Sequence, residues 1–218
     1  MPDFHDFVRY LENADFSNLP GVQAQLQMAP SIRHSDILHM GVGKNPVQSS
    51  VLLLFYPDKE QQVATVLIQR PEYDGAHSGQ ISFPGGRHES GDPDLAFTAL
   101  REANEEIGVD PGLVNLKGRL TDLFIPPSNF IVTPFIGISE SRPDFLPDPV
   151  EVAAILEFSL KDLLNPACRE MKLISLRDGQ RLETPCYNMG GHIIWGATAM
   201  IISEMAEVIK QLLRDEIY

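Results

Sequence analysis

Residues 85 to 109 read GGRHESGDPDLAFTALREANEEIGV, and every other segment of the chain takes its meaning from them. The glycines, serine and proline of the first third mark a loop. Leu95, Leu100, Ala103 and Ile107 then supply apolar positions at helical spacing, with Gly108 as a suitable stop, so the pattern predicts a helix over 94–107. On that helix Glu102, Glu105 and Glu106 fall at i, i+3 and i+4 and leave one face together. At a separation of about 5 Å and an effective dielectric near 20, each like-charged pair costs on the order of 3 kcal/mol. A divalent cation removes that cost, and hard carboxylate oxygens suit Mg²⁺ or Mn²⁺. Arg101, one turn before Glu105, can hold that carboxylate by an i, i+4 ion pair. Gly85 and Gly86 have no Cβ to keep the backbone away from a metal or a phosphate. An acidic helix face alone is usually only solvated. The succession of FPGG loop, acidic turn and REANEEIGV turns the reading toward a metal site.

The flanking segments predict a layered α/β protein. Phe4, Phe7, Val8 and Leu11 are spaced as on a helix over 3–13, and Leu26 with Met28 forms a weaker second pattern. Val51–Tyr56 and Val63–Gln69 are apolar runs separated by Pro57-Asp58, which reads as a hairpin. Residues 75–91 read as one long loop rather than a packed element. Strands are predicted over 116–120, 130–138 and 152–158, with shorter ones at 171–174 and 192–194. An amphipathic helix is predicted over 198–216.

With 218 residues, 43% hydrophobic and 22% charged, one compact domain is the expectation. A net charge of −13 argues against a nucleic-acid surface, which needs clustered Lys and Arg. No apolar run reaches 18 residues and the first ten carry acids where a secretory signal needs a basic stretch, so a soluble, cytoplasmic protein without membrane partners is expected. Cys168 and Cys186 form no CxxC pattern and read as ordinary thiols. Arg70 ends a predicted strand and is a candidate phosphate ligand or a loop-anchoring ion pair; His77 and His88 are candidate bases or plain polar contacts. Glu151 is either an additional site acid or an exposed carboxylate, and Trp195 reads as core rather than as a stacking platform.

The segment beginning at Gly86 resembles the Nudix box: a glycine, five residues, an acid, a spacer, then REUxEExGU with U aliphatic. Two departures are Asp92 in place of the box's Glu and eight spacer residues instead of seven before Arg101. Leu67-Ile68-Gln69-Arg70, Gly79 and Phe83-Pro84-Gly85-Gly86 are similar to the upstream signature of the family's coenzyme A diphosphatase branch, with Gly75 where that branch has a second arginine. What the resemblance implies is an α/β/α sandwich with a mixed central sheet and an N-terminal helical extension over 1–45. It further implies metal ligands at Glu102, Glu105, Glu106 and the Gly85 carbonyl, and catalytic roles for Arg101 and Glu151. Substrate contacts would come from Arg70, Gly79, Phe83, Gly86 and His77. The implied reaction splits coenzyme A or acyl-CoA to 4′-phosphopantetheine and adenosine 3′,5′-bisphosphate, with a small-molecule substrate and a homodimer as an open partner state. Two alternatives stand beside it: action on ADP-ribose, NADH or nucleoside triphosphates, and a non-catalytic nucleotide-binding module.

Overall fold

The computed structural model describes residues 1–30, 45–71, 79–175, 179 and 181–215. Its centre is a mixed sheet built on β1 (Val47–Pro57) and β2 (Val63–Gln69), an antiparallel hairpin closed by a turn in which the Asp58 N–H donates to the Gln62 carbonyl. The sheet continues β3-β2-β1-β7-β5, with β3 (Ile81–Ser82), β5 (Asn115–Arg119) and β7 (Phe130–Ile138). β4 (Gly85–Arg87) adds to β1, β6 (Leu123–Ile125) to β7, and β8 (Ala154–Ser159) to β2. β1 and β7 run parallel, the other pairs antiparallel, so the expected mixed sheet is present.

β1 is buried on both sides, which is why its apolar run is continuous rather than alternating. Leu52, Leu54 and Tyr56 pack with Ala99, Ala103 and Ile107 of α3 (Leu95–Ile107), whereas Leu53 and Phe55 belong to the core on the opposite face. That second core receives α1 (Phe4–Glu12) and residues next to α2 (Gly21–Leu26), together with α4 (Leu160–Leu164) and α5 (Gly196–Asp215). The N-terminal helices complete one layer: Phe7 is 1% exposed and meets the Phe55 ring edge-on at 5.2 Å. No helix among the described residues is long and apolar enough to cross a membrane.

A second, three-stranded sheet has the order β11-β10-β9, with β9 (Arg169–Ser175), β10 (Arg181–Met189) and β11 (His192–Trp195). β10 is absent from the sequence expectation because Pro185, Asn188 and three charged or polar positions interrupt its apolar residues. Its identity comes from its partners, seven register pairs to β9 and four to β11. The expectation of an unpacked loop over 75–91 needs correction for its described part. β3 and β4 pair with β2 and β1, and their Gly-Gly and Phe-Pro content hides this, since backbone pairing on a central strand needs no side-chain pattern. Cys168 is half-buried and Cys186 buried, both as free thiols. Trp195 is half-buried at the end of β11 instead of fully in the core.

Candidate active site

The site begins with a backbone contact. β4 lies against β1 with Gly85 opposite Val51 and Gly86 opposite Ser50. Gly85 has φ +151°, and a Cβ there would overlap the Ser50 carbonyl oxygen. A Cβ on Gly86 would overlap the Glu102 carboxylate. Only a diglycine lets the strand, the sheet and the acidic flank of α3 approach this closely.

α3 is held at both ends. Asp94 caps its start, accepting from the Phe97 N–H at 2.8 Å, and Gly108 ends it in the left-handed region at φ 72°. The helix's last carbonyls lack intrahelical donors. Two are taken up by the returning Pro-rich chain, where the Leu146 N–H donates to Ile107 and the Asp148 N–H to Glu106, each at 2.9 Å. This docking carries Glu151, in the turn before β8, into the site's electrostatic field, where its charge raises the pKa of both Glu102 and Glu106.

The three helix carboxylates, which the spacing puts on one flank of α3, differ widely in exposure. Side-chain exposure is 13% for Glu102, 55% for Glu105 and 1% for Glu106. The sheet decides the difference, because Glu106 also sits on the flank that β4 covers. Its Oε2 accepts the Gly85 N–H at 2.8 Å and its Oε1 meets Arg70 Nη2 at 3.1 Å. Burial, reinforced by the charges of Glu102 and Glu151, pushes its carboxyl up to about 7 against the pull of Arg70 and the Gly85 N–H. Burial also raises Glu102, although Arg101 stands beside it at 3.0 Å.

Arg101 is the hub. It pairs with Glu105 at 2.7 Å and donates from Nε and Nη2 to the two oxygens of Asp92 at 2.9 and 3.0 Å. A further Nη2 bond reaches the Arg87 carbonyl at 3.1 Å. Asp92 lies well below the usual carboxylate range, chiefly through these Arg101 bonds, with the Glu89 N–H and the Thr98 hydroxyl adding to the effect. The shorter acid at position 92 thus still reaches the arginine in a two-point contact. His88 bonds the Thr98 hydroxyl through Nδ1 at 2.9 Å and so buttresses the same corner.

Arg70 does not point free into a cleft. Its Nη2 lies 3.1 Å from Glu106 Oε1 and 3.3 Å from the Gly85 carbonyl. Gly79 opens the return to β3, its N–H bonded to the Pro71 carbonyl at 3.2 Å. Phe83, expected as a substrate contact, is 3% exposed and packs in the core beneath the site instead. His77 lies outside the described residues, as does Gly75.

Among the described residues no three His, Cys, Asp or Glu side chains are already gathered about one point, because Arg70 and Arg101 hold the carboxylates individually. The donor set nevertheless fits a hard divalent ion. The Gly85 carbonyl and Glu106 Oε1 share a single guanidinium nitrogen, so both oxygens face one cation position. Among the described residues, Asp92, Glu102, Glu105 and Glu106 are paired with two guanidiniums (Arg70, Arg101), and Glu151 adds its negative charge beside Glu102 and Glu106, which leaves the cluster short of positive charge.

Two sandwiched helical layers, a mixed sheet and an acidic helix under a diglycine strand define a Nudix-type α/β/α domain. The chain belongs to the Nudix family: the NUDIX domain model matches residues 46–175. It is 33% identical over 171 residues to Nudix hydrolase 22, chloroplastic, of Arabidopsis thaliana, covering 76% of this chain and 56% of that protein. Identity to Nudix hydrolase 15, mitochondrial, of the same plant is 33%, over 75% of this chain and 59% of the relative. The chain therefore spans a little over half the length of these two relatives. A protein described as uncharacterized Nudix hydrolase NudL, from Photorhabdus laumondii, is 34% identical over 62% of this chain and 71% of its own length. In solved structures, the MutT/nudix family protein from Enterococcus faecalis superposes with a TM-score of 0.51 at 16% identity, covering 80% of this chain and 70% of that one, a likeness of fold.

Proposed function

We propose that the chain hydrolyses the diphosphate linkage of coenzyme A or an acyl-CoA with Mg²⁺ or Mn²⁺, releasing 4′-phosphopantetheine and adenosine 3′,5′-bisphosphate. The observation that carries a diphosphatase reading is the shared cation position between the Gly85 carbonyl and buried Glu106, flanked by Glu102 and Glu105. Glu102, Glu105, Glu106 and the Gly85 carbonyl would hold the ion, which supplies charge neutralisation of diphosphate oxygens and a more acidic water.

The chain's own groups have separable tasks in this reading. Arg101, fixed by Asp92, keeps Glu102 and Glu105 aimed at the site. Arg70 binds a phosphate oxygen once it leaves Glu106, a role for which a planar guanidinium suits better than an ammonium. Water bonds to phosphorus as the bridging P–O bond breaks, and a solvent-facing carboxylate, Glu105 or Glu151, takes the proton. The coenzyme A specificity rests on residues 67–86 alone; the box geometry serves ADP-ribose, NADH or a nucleoside triphosphate equally.

A panel of coenzyme A, ADP-ribose, NADH and dGTP with added Mn²⁺, with products identified by mass spectrometry, separates these substrates. Coenzyme A should show the highest kcat/KM, and preference for another member of the panel would replace it. Glu105→Gln should keep the fold and lose roughly 10²–10⁴-fold in kcat, the range of a lost acid–base group. Metal binding without turnover of any panel member would favour a non-catalytic nucleotide-binding module.

A further inference from the structure

Among the described residues, the second sheet ends in an edge that no other strand covers. Residues 170–173 of β9 are all exposed, Met171 by 59% and Leu173 by 56%, and among the described residues the strand pairs only with β10. Edge strands are usually blunted by proline, bulges or a crowd of charges. β9 carries neither proline nor bulge over residues 169–173, its charges at Arg169, Glu170 and Lys172 are of both signs, and its seven-residue pairing with β10 runs without a register shift.

β10 sets which backbone groups of β9 face outward. Met171 stands opposite Pro185, which has no N–H and cannot form the two-bond pair of an antiparallel ladder. Met171 is therefore in a non-hydrogen-bonded pair, with its own N–H and C=O directed to the free edge. By alternation Arg169 and Leu173 present theirs the same way, whereas Glu170 and Lys172 bond inward to β10.

We propose that β9 pairs antiparallel with β9 of a second copy of this chain, about a two-fold axis between the two Met171 residues, making one continuous six-stranded sheet. In this register the outward backbone groups of Met171 bond reciprocally across the axis, and Arg169 and Leu173 of the two copies face each other. Glu170 of each copy stands directly opposite Lys172 of the other, giving two opposite-charge pairs on one face. The other face brings the two Met171 side chains together beside Leu173, covering the exposed apolar stripe. Shifting the axis by one residue would set Lys172 against Lys172, a like-charge pairing that the sheet disfavours. The self-complementary order Glu-Met-Lys thus selects a second copy as the occupant and selects its register.

Sedimentation velocity of the full chain over roughly 1–200 µM, a span that brackets micromolar association, should show a concentration-dependent dimer. Lys172→Glu places like charges across both pairs and should weaken the dimer at least about tenfold. The double change Glu170→Lys with Lys172→Glu recreates both pairs in reverse and should restore it. Both positions are exposed, so circular dichroism should show unchanged folding. A wild-type chain that stays monomeric throughout, or a double variant no better than the single one, overturns the proposal. Neither result bears on the diphosphatase reading, which the panel assay tests separately.

Discussion

At the scale of single residues, the site is a problem of where charge is kept from water. Glu105 and Glu106 are neighbours in sequence, yet one is 55% exposed and the other 1%. The folded Glu106 carboxyl titrates at about 7 against 4.5 in an unconstrained chain. The folded state therefore holds a proton that the unfolded state has released, so this group's stabilising contribution is complete below pH 4.5 and falls away as pH rises to about 7. The loss is roughly 3 kcal/mol at 1.36 kcal/mol per unit. Urea unfolding of chelator-treated protein between pH 5 and pH 8 should show this decline, and Glu106→Gln should flatten it. A variant with the wild-type pH slope would assign the proton elsewhere.

The helix and strand elements show which parts of the sequence act locally. α3 was legible because its determinants are local: Leu95, Leu100, Ala103 and Ile107 at helical spacing and Gly108 at the stop, to which the structure adds the Asp94 cap and the buried Ala99. Asp94→Ala should cost about 1 kcal/mol of stability, the usual worth of an N-cap, read as a lowered urea midpoint. No loss would mean that the Thr98 hydroxyl, bonded to Asp92, already holds the first turn by itself. β10 and α4 were not legible. β10 alternates buried Leu182, Thr184 and Cys186 with polar residues and a proline, which no apolar count detects. α4 is five residues long, too short for a periodicity, and only its Ser159–Asp162 capping box marks it.

Across the whole molecule, two cores flank one sheet, and the N-terminal helices belong to the core that does not carry the acidic helix. Phe7 is buried against Phe55 on that far side. Phe7→Ala should cost about 3–5 kcal/mol of stability, the range for a large core truncation. The activity of the folded fraction should stay unchanged, as shown by kcat measured below the variant's melting range. A fall in kcat matching the fall in stability would mean that the two cores are coupled through β1. The Pro-rich return over 143–152 has the opposite character: it has no pattern of its own, yet it caps α3 and brings Glu151 to the site.

The sequence by itself determined the acidic helix, its arginine and the hairpin, because caps, stops and side-chain spacing act over a few residues, whereas the strand character of the diglycine segment came from its pairing with β1. Only tertiary structure decided which glutamate is buried, that Arg70 closes on Glu106 from 36 residues away, and that Phe83 lies in the core. Exposure and long-range pairing depend on what the rest of the chain lays over a surface. The periodicity that builds a helix says which side chains share a flank, and the sheet against it says which of them still meet water.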